Sequence, residues 1–392
     1  MWGTDVHAVT LFMRWLILTS STGTGHNMRA ESLRQWTERV YGDTVEVRIH
    51  HALENTHALY RFGVGLYNFI QRHAPILHHV YFNYLELAAM HRHARKILGR
   101  DTFTSLIRDW RPDRIISVHA HTNHGFFDLA RAALPDRPPR CITYCGELSG
   151  GYGLSRHWTN PRVDGFIGAT REICAAARAV GTPDDRVLFG SFLLRPAFYA
   201  SEADLEAATD AKARRLGLDR NTFTLLLSTG IAGANNHLAI LRALAATGRR
   251  LQIIALCAKN TLVRDEIDAF ASAHPSLVIR TLGQTELMPG LKRLASAIVA
   301  RPGTGATSEA ILLGTPLIHN GIGGVMPQEL ITVQYCRLHA CGLIGYSPRE
   351  ISRHVVRLMD EPGLAATLRA NLRSARPPGH PEHIVRWIHD RP

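Results

Sequence analysis

The chain has 392 residues, 45% of them hydrophobic and 20% charged, and its 45 Lys and Arg against 33 Asp and Glu give a formal net charge of +12. This composition is globular and excludes wholesale disorder, and the length predicts two or three domains, each with its own core. Six cysteines without a CxxC pair or a zinc-type spacing exclude a disulfide scaffold and point to a reducing compartment.

The N-terminal stretch lacks a basic n-region and Arg14 interrupts its apolar run, so no signal peptide is expected. The longest charge-free runs, such as 221–241, are too polar to span a membrane. A soluble, cytoplasmic protein is expected. The basic balance admits nucleic acid, an anionic membrane surface or a phosphate-bearing ligand. No nucleic-acid motif occurs, and the arginines are spread along the chain.

Short runs rich in Val, Ile and Leu predict strands at Trp15–Thr19, Val45–Ile49, Ile115–Val118, Cys141–Tyr144, Gly165–Ile167 and Val187–Phe189. A second series follows at Phe223–Leu227, Leu251–Cys257, Leu277–Thr281, Ala297–Val299 and Pro316–His319. Helical patterns separate most of them, which predicts an α/β protein with parallel sheets covered on both faces. The series stops between Phe189 and Phe223, where a Pro-containing turn leads into a polar, Ala-rich helix ending near Gly217. This reads as a domain junction. Two facing Rossmann-like domains are expected, spanning 1–195 and 196–375, with the tail 376–392 packing back across the cleft.

After the first strand, Ser21-Thr22-Gly23-Thr24-Gly25-His26 forms a glycine-rich turn before a helix starting near Asn27. Glycines permit close backbone approach, and the helix N-terminus offers N–H groups. Neither a Walker A loop nor a complete GxGxxG is present. His26 adds an imidazole able to position or deprotonate a hydroxyl.

Segment 58–98 interleaves Tyr60, Phe62, Leu66, Tyr67, Phe69, Val80, Tyr81 and Tyr84 with Arg and His. It reads either as one or two helices filling the first core or as a basic, aromatic surface for lipid headgroups or an amphiphilic acceptor. His119, His121 and His124 follow a strand, but no carboxylate accompanies them and no metal site is assigned.

The strongest pattern is Arg301-Pro302-Gly303-Thr304-Gly305, followed by a helix that Thr307 or Ser308 would cap, that carries Glu309, and that ends at Gly314-Thr315-Pro316. A pyrophosphate suits such an N-terminus, and a carboxylate near it suits ribose hydroxyls. Gln328 and Glu329 follow a glycine-rich stretch and suit a polyhydroxylated ligand.

In order along the chain these motifs resemble those of the monogalactosyldiacylglycerol synthase and diacylglycerol glucosyltransferase group of glycosyltransferase family 28. The family's glycine loop ending in His resembles 21–26, and its Ser-Val-His resembles Ser117-Val118-His119. Its Thr-x-x-Thr-Asp segment with a later His/Trp region is similar to Thr143 through Glu147 and His157-Trp158. Its Cys-Gly-x-Asn resembles Cys257 through Asn260, its Lys-x-Gly-x-Gly-Thr-x-x-Glu-Ala resembles Arg301 through Ala310, and its Gly-Gln-Glu resembles Pro327-Gln328-Glu329.

The resemblance implies the two-domain GT-B fold, a UDP-sugar bound by the C-terminal domain and an acceptor bound by the N-terminal one. The donor set would be Ser228, Gly230, Asn260, Arg301, Gly303, Gly305, Thr307, Glu309, Gln328 and Glu329. The acceptor set would be Gly25, His119, His157 and Trp158, with Glu147 and His26 the two candidates for the base. The expected reaction is an inverting transfer of a hexose to a diacylglycerol-like or other amphiphilic acceptor. No Asp-x-Asp triplet occurs, so neither metal nor cofactor is expected. A lipid acceptor implies a peripheral position on the inner face of the cell membrane. Competing readings are transfer to a soluble natural product, a nucleotide-sugar 2-epimerase, or an inactive sugar-nucleotide-binding protein.

Overall fold

The structure is a computed structural model and describes residues 12–228, 236–285 and 288–391. Its first strand, β1 (Met13–Thr19), is apolar on both faces, and Trp15, Leu16, Ile17 and Leu18 are wholly buried. Such a run belongs in the interior of a parallel sheet covered on both sides. With β2 (Val45–His51), β3 (Arg114–Ser117), β4 (Arg140–Cys145), β5 (Gly165–Gly168) and β6 (Val187–Phe189) it forms a six-stranded sheet in the order β2-β1-β3-β4-β5-β6. β7 (Thr224–Ser228), β8 (Leu251–Ala258), β9 (Leu277–Gly283), β10 (Ala297–Ala300), β11 (Leu317–Asn320) and β12 (Leu343–Gly345) form a second, ordered β12-β11-β10-β7-β8-β9. All these pairings are parallel.

Each sheet reverses its winding once. In the first, the chain turns outward to β2 and then returns to place β3 on the other side of β1. In the second, β10 returns to the other side of β7. At these switch points the loops leaving neighbouring strands diverge and open a crevice at the carboxyl ends, where ligands bind in sheets of this type. The loop at 20–24 leaves β1 and His119 follows β3. Ser228 ends β7 and Arg301 follows β10. The two glycine-rich motifs therefore occupy the two switch points.

Helix Pro381–Asp390 lies against helix Gly25–Tyr41 of the first unit. Ile384, Val385 and Ile388 are wholly buried in the core that also holds Trp15, Ile17 and Trp36. Tyr41 stacks on His389 with ring centres 4.2 Å apart, and Arg114 donates to the carbonyls of Ile388 and His389, both at 3.2 Å. The same core includes Ile311, Leu312, Tyr335 and Cys336 of the second unit, so the two units share packed apolar surface. Among the described residues, no helix is long and apolar enough to cross a membrane.

Segment 58–98 forms helices Ala58–His73 and His78–Ala88. Of their side chains Tyr60, Val64 and His78 are buried. Phe62, Phe69, Val80, Tyr84 and Leu87 stand in solvent, between 59% and 81% exposed. These side chains therefore do not fill the first core, and they lie on the surface.

Candidate active site

His26 is the second residue of helix Gly25–Tyr41. Its Nδ1 lies 2.9 Å from the carbonyl oxygen of Val118. A carbonyl only accepts, so the neutral ring carries its proton on Nδ1 and leaves a lone pair on Nε2. Burial and the nearby Arg29 push its pKa down to about 3. The ring of His119 meets it edge-on at 4.5 Å, and Trp158 lies 5.9 Å away.

His119 itself is bonded at both nitrogens. Its Nδ1 accepts from the backbone N–H of His121, and its Nε2 is 2.8 Å from Thr22 Oγ1. It holds the glycine loop in place. His157 and Trp158, expected to line the acceptor cleft, are 1% and 3% exposed. Trp158 backs His26, while His157 joins a packed set with His91, His121 and His124. Trp158 is held inward in an apolar core with Leu16, Leu18 and Phe126. Gly25 opens the helix and has free space where a Cβ would stand.

Glu147 lies just beyond β4 and is 7% exposed. Burial raises its pKa, opposed by the charge of Arg29, whose Nη1 stands 3.4 Å from Oε1. Arg29 also donates from Nη2 to the carbonyl of Gly146 at 2.8 Å and to Thr304 Oγ1 in the other unit.

On that opposite side, helix Thr304–Leu313 begins at Gly303 with no side-chain cap. Its leading N–H groups are thus left to a ligand or solvent. A Cβ on Gly303 or Gly305 would meet nothing within 4 Å, which leaves the backbone open to close approach. The expected capping by Thr307 or Ser308 is corrected: both lie inside the helix and are buried, because the helix starts three residues earlier than Thr307. Thr307 Oγ1 bonds His319 Nε2 at 3.2 Å.

Glu309 is ion-paired through Oε2 with Nζ of Lys292, which is 1% exposed. Lys292 sits in helix Met288–Leu294, and sequence reasoning passed over it. A buried ammonium needs a paired anion, so Lys292 fixes one carboxylate oxygen of a side chain that keeps 19% exposure.

Three further donor candidates have partners within the protein. Asn260 caps helix Thr261–Ala273, accepting from Val263 N–H at 3.1 Å. Glu329 is buried, bonded to the Arg301 guanidinium and to Met326 N–H. Arg301 also donates to the carbonyls of Ile322 and Gly324 at 3.0 and 2.8 Å. Arg301 and Glu329 thereby brace the glycine stretch. Gln328 donates to Tyr67 Oη across the cleft at 2.6 Å, and Ser228 ends β7. Gly230 lies outside the described residues. Among the described residues, no three of His, Cys, Asp and Glu converge as a metal-binding group.

Two parallel sheets with facing switch points make this the GT-B architecture, and comparison with known proteins agrees. MurG of Acinetobacter baumannii superposes with a TM-score of 0.58 at 10% identity, covering 96% of this chain and 99% of that one. UDP-GlcNAc 2-epimerase of Neisseria meningitidis superposes with a TM-score of 0.58 at 13% identity, covering 96% and 99%. These likenesses define the fold alone. The sequence narrows the class. Residues 26–190 match the family described as monogalactosyldiacylglycerol (MGDG) synthase. Monogalactosyldiacylglycerol synthase 1 of Arabidopsis thaliana is 25% identical over 96% of this chain and 70% of its own length. A processive diacylglycerol beta-glucosyltransferase of Bacillus licheniformis is 23% identical over 77% of this chain and 76% of its own. The chain has the GT-B fold and is similar in sequence to the monogalactosyldiacylglycerol synthase and diacylglycerol glucosyltransferase group.

Proposed function

We propose that this protein transfers a hexose from a UDP-sugar to the free hydroxyl of a diacylglycerol-like acceptor at a lipid surface, with inversion and without a metal ion. The observation that carries the reading is the meeting of the two switch points. Glu147 at the end of β4, through Arg29, touches the uncapped start of helix Thr304–Leu313. A base and an anion-binding helix terminus thus stand together in one cleft.

In this reading the diphosphate lies at Gly303–Gly305, where N–H groups and the helix dipole offset its charge. Glu309, steadied by Lys292, takes the ribose hydroxyls. Ser228, Gly230 and Gln328 complete the donor side, with Gln328 released from Tyr67 to hold a sugar hydroxyl. Asn260, Arg301, Glu329 and Thr307 act behind these, through the loops they brace. Glu147 takes the acceptor proton, because burial raises its proton affinity while it lowers that of His26. His26 Nε2 accepts a hydrogen bond from the acceptor and aligns it.

The pair of helices at 58–88 supplies the lipid side. Ile70, Leu77, Val80, Tyr81 and Tyr84 line an open apolar hollow of about 370 Å³, suited to an acyl chain. Phe62, Phe69 and Leu87 project beside it, with Arg61, Arg72 and His73 near them in sequence. Apolar side chains flanked by cations suit an anionic bilayer face.

The reading is tested by incubating the protein with UDP-galactose or UDP-glucose and vesicles of diacylglycerol in phosphatidylglycerol, then analysing the lipids by mass spectrometry. A monohexosyl-diacylglycerol should form in step with released UDP. Val80→Asp should cut that rate about ten-fold or more while leaving UDP affinity unchanged. Free hexose with no glycolipid, or full vesicle activity in the Val80 variant, would overturn the acceptor or the membrane part respectively.

A further inference from the structure

Arg29 is 7% exposed and lies three residues after His26, on the same face of helix Gly25–Tyr41. Its guanidinium reaches three groups on two domains: Glu147 Oε1, the Gly146 carbonyl and Thr304 Oγ1. Gly146 is shaped around it. A Cβ there would come within 2.3 Å of Arg29 Nε and 2.6 Å of Cζ, so only glycine lets the guanidinium lie across this stretch of backbone. Its bond to Glu147 is long, at 3.4 Å, and single. Arg–carboxylate pairs are frequently bidentate, with charge-assisted bonds of about 2.7–2.9 Å. Nη2 is instead aimed at the first residue of the uncapped donor helix.

We propose that Arg29 binds the β-phosphate of the donor across the cleft and carries the charge of the departing diphosphate, a role that rests on the donor site proposed above. During transfer the acceptor oxygen bonds to the anomeric carbon, and the bond from that carbon to the β-phosphate oxygen breaks. The bonding pair leaves with UDP, and the acceptor proton passes to Glu147. Glu147 loses its negative charge as the diphosphate gains one. Arg29, which touches the first and reaches toward the second, exchanges one anionic partner for the other without being left unpaired. The arrangement assigns to a side chain the cation that a diphosphate leaving group requires. Proton acceptance and leaving-group departure become linked through one guanidinium.

The test compares UDP with UMP, which lacks the β-phosphate. Removing Arg29 alone would strand Glu147 in the interior, so the variant is the full chain carrying Arg29→Gln with Glu147→Gln, beside Glu147→Gln alone. Dissociation constants for both nucleotides are measured by calorimetry, with circular dichroism to verify folding. The single variant should keep or strengthen the wild-type preference for UDP over UMP. The double variant should lose that preference by about ten-fold or more, the size of one charge-assisted contact. An equal preference in the two variants, with UDP still bound, would overturn the role of Arg29 alone. No UDP binding by the wild type would overturn the donor site and this role together.

Discussion

Replacing Glu147 by glutamine should lower the turnover of sugar transfer by about 10²- to 10⁴-fold, the range that a general base contributes. UDP should bind this variant no more weakly than the wild type, since the change removes a carboxylate from beside Arg29 and adds no bulk. The choice of Glu147 over His26 follows from proton affinity. Burial moves the two groups in opposite senses, lifting the carboxylate and lowering the imidazole to about 3. The acid limb of the rate profile should accordingly fall above the usual carboxylate range. His26→Ala should raise the acceptor KM more than it lowers turnover. The reverse pattern, with Glu147→Gln nearly active and His26→Ala inert, would transfer the base to His26, whose tautomer also permits it.

Mild acid should unfold the protein. His26 and His124 are pushed down to about 3 and His91 to about 4, in each case chiefly by burial, and His119 and His121 lie well below their ordinary value for the same reason. Around them stand Arg29, Arg92, His93, Arg156, Arg162, His157 and Glu86, of which only Glu86 favours the charged form. The folded state keeps these rings neutral, whereas the unfolded chain protonates them near pH 6.5. The unfolded state therefore binds more protons below that pH, and stability falls as pH falls, from about 6.5 down toward 4.

At pH 5.5 the rings held neutral together cost on the order of several kcal/mol, a large share of a domain's stability. Urea denaturation at pH 7.5 and 5.5 checks this. Most of the stability should be lost at the lower pH, and His91→Phe should reduce the slope. A midpoint unchanged between the two values would show that these rings are not held neutral.

The Nε2 atoms of His91, His124 and His157 are buried without a hydrogen-bond partner among the described residues, which is consistent with rings held by packing. The acid-labile set includes His26 and its neighbour His119, so loss of activity and loss of fold should run together there.

The fold was legible because its signals are local. Apolar runs such as Trp15–Leu18 fill whole strands, and glycine turns mark the ends of β1 and β10. β12, three residues long at the sheet's edge, escaped. The helices at 58–88 stayed ambiguous because a core stripe and a surface stripe share one spacing; only the position of the neighbouring sheet separates them. Arg29 and Lys292 could not be found from the chain alone. Each looks like an ordinary helix cation until a partner 118 or 17 residues away, Glu147 or Glu309, is brought beside it. Asn260 shows a structural use the motif did not disclose: its side chain caps the following helix.

The central claim is a uridine nucleotide at the start of helix Thr304–Leu313 with its ribose on Glu309. The direct measurement is the melting temperature with and without UDP for the wild type and for Lys292→Met with Glu309→Gln. The paired change leaves no buried charge alone. At a hundred-fold excess over Kd, UDP should stabilise the wild type by about 2.7 kcal/mol, a rise of several degrees. The paired variant should show little or none of that rise at the same concentration. An unmoved wild-type melting temperature, or an equal rise in both proteins, would contradict the account.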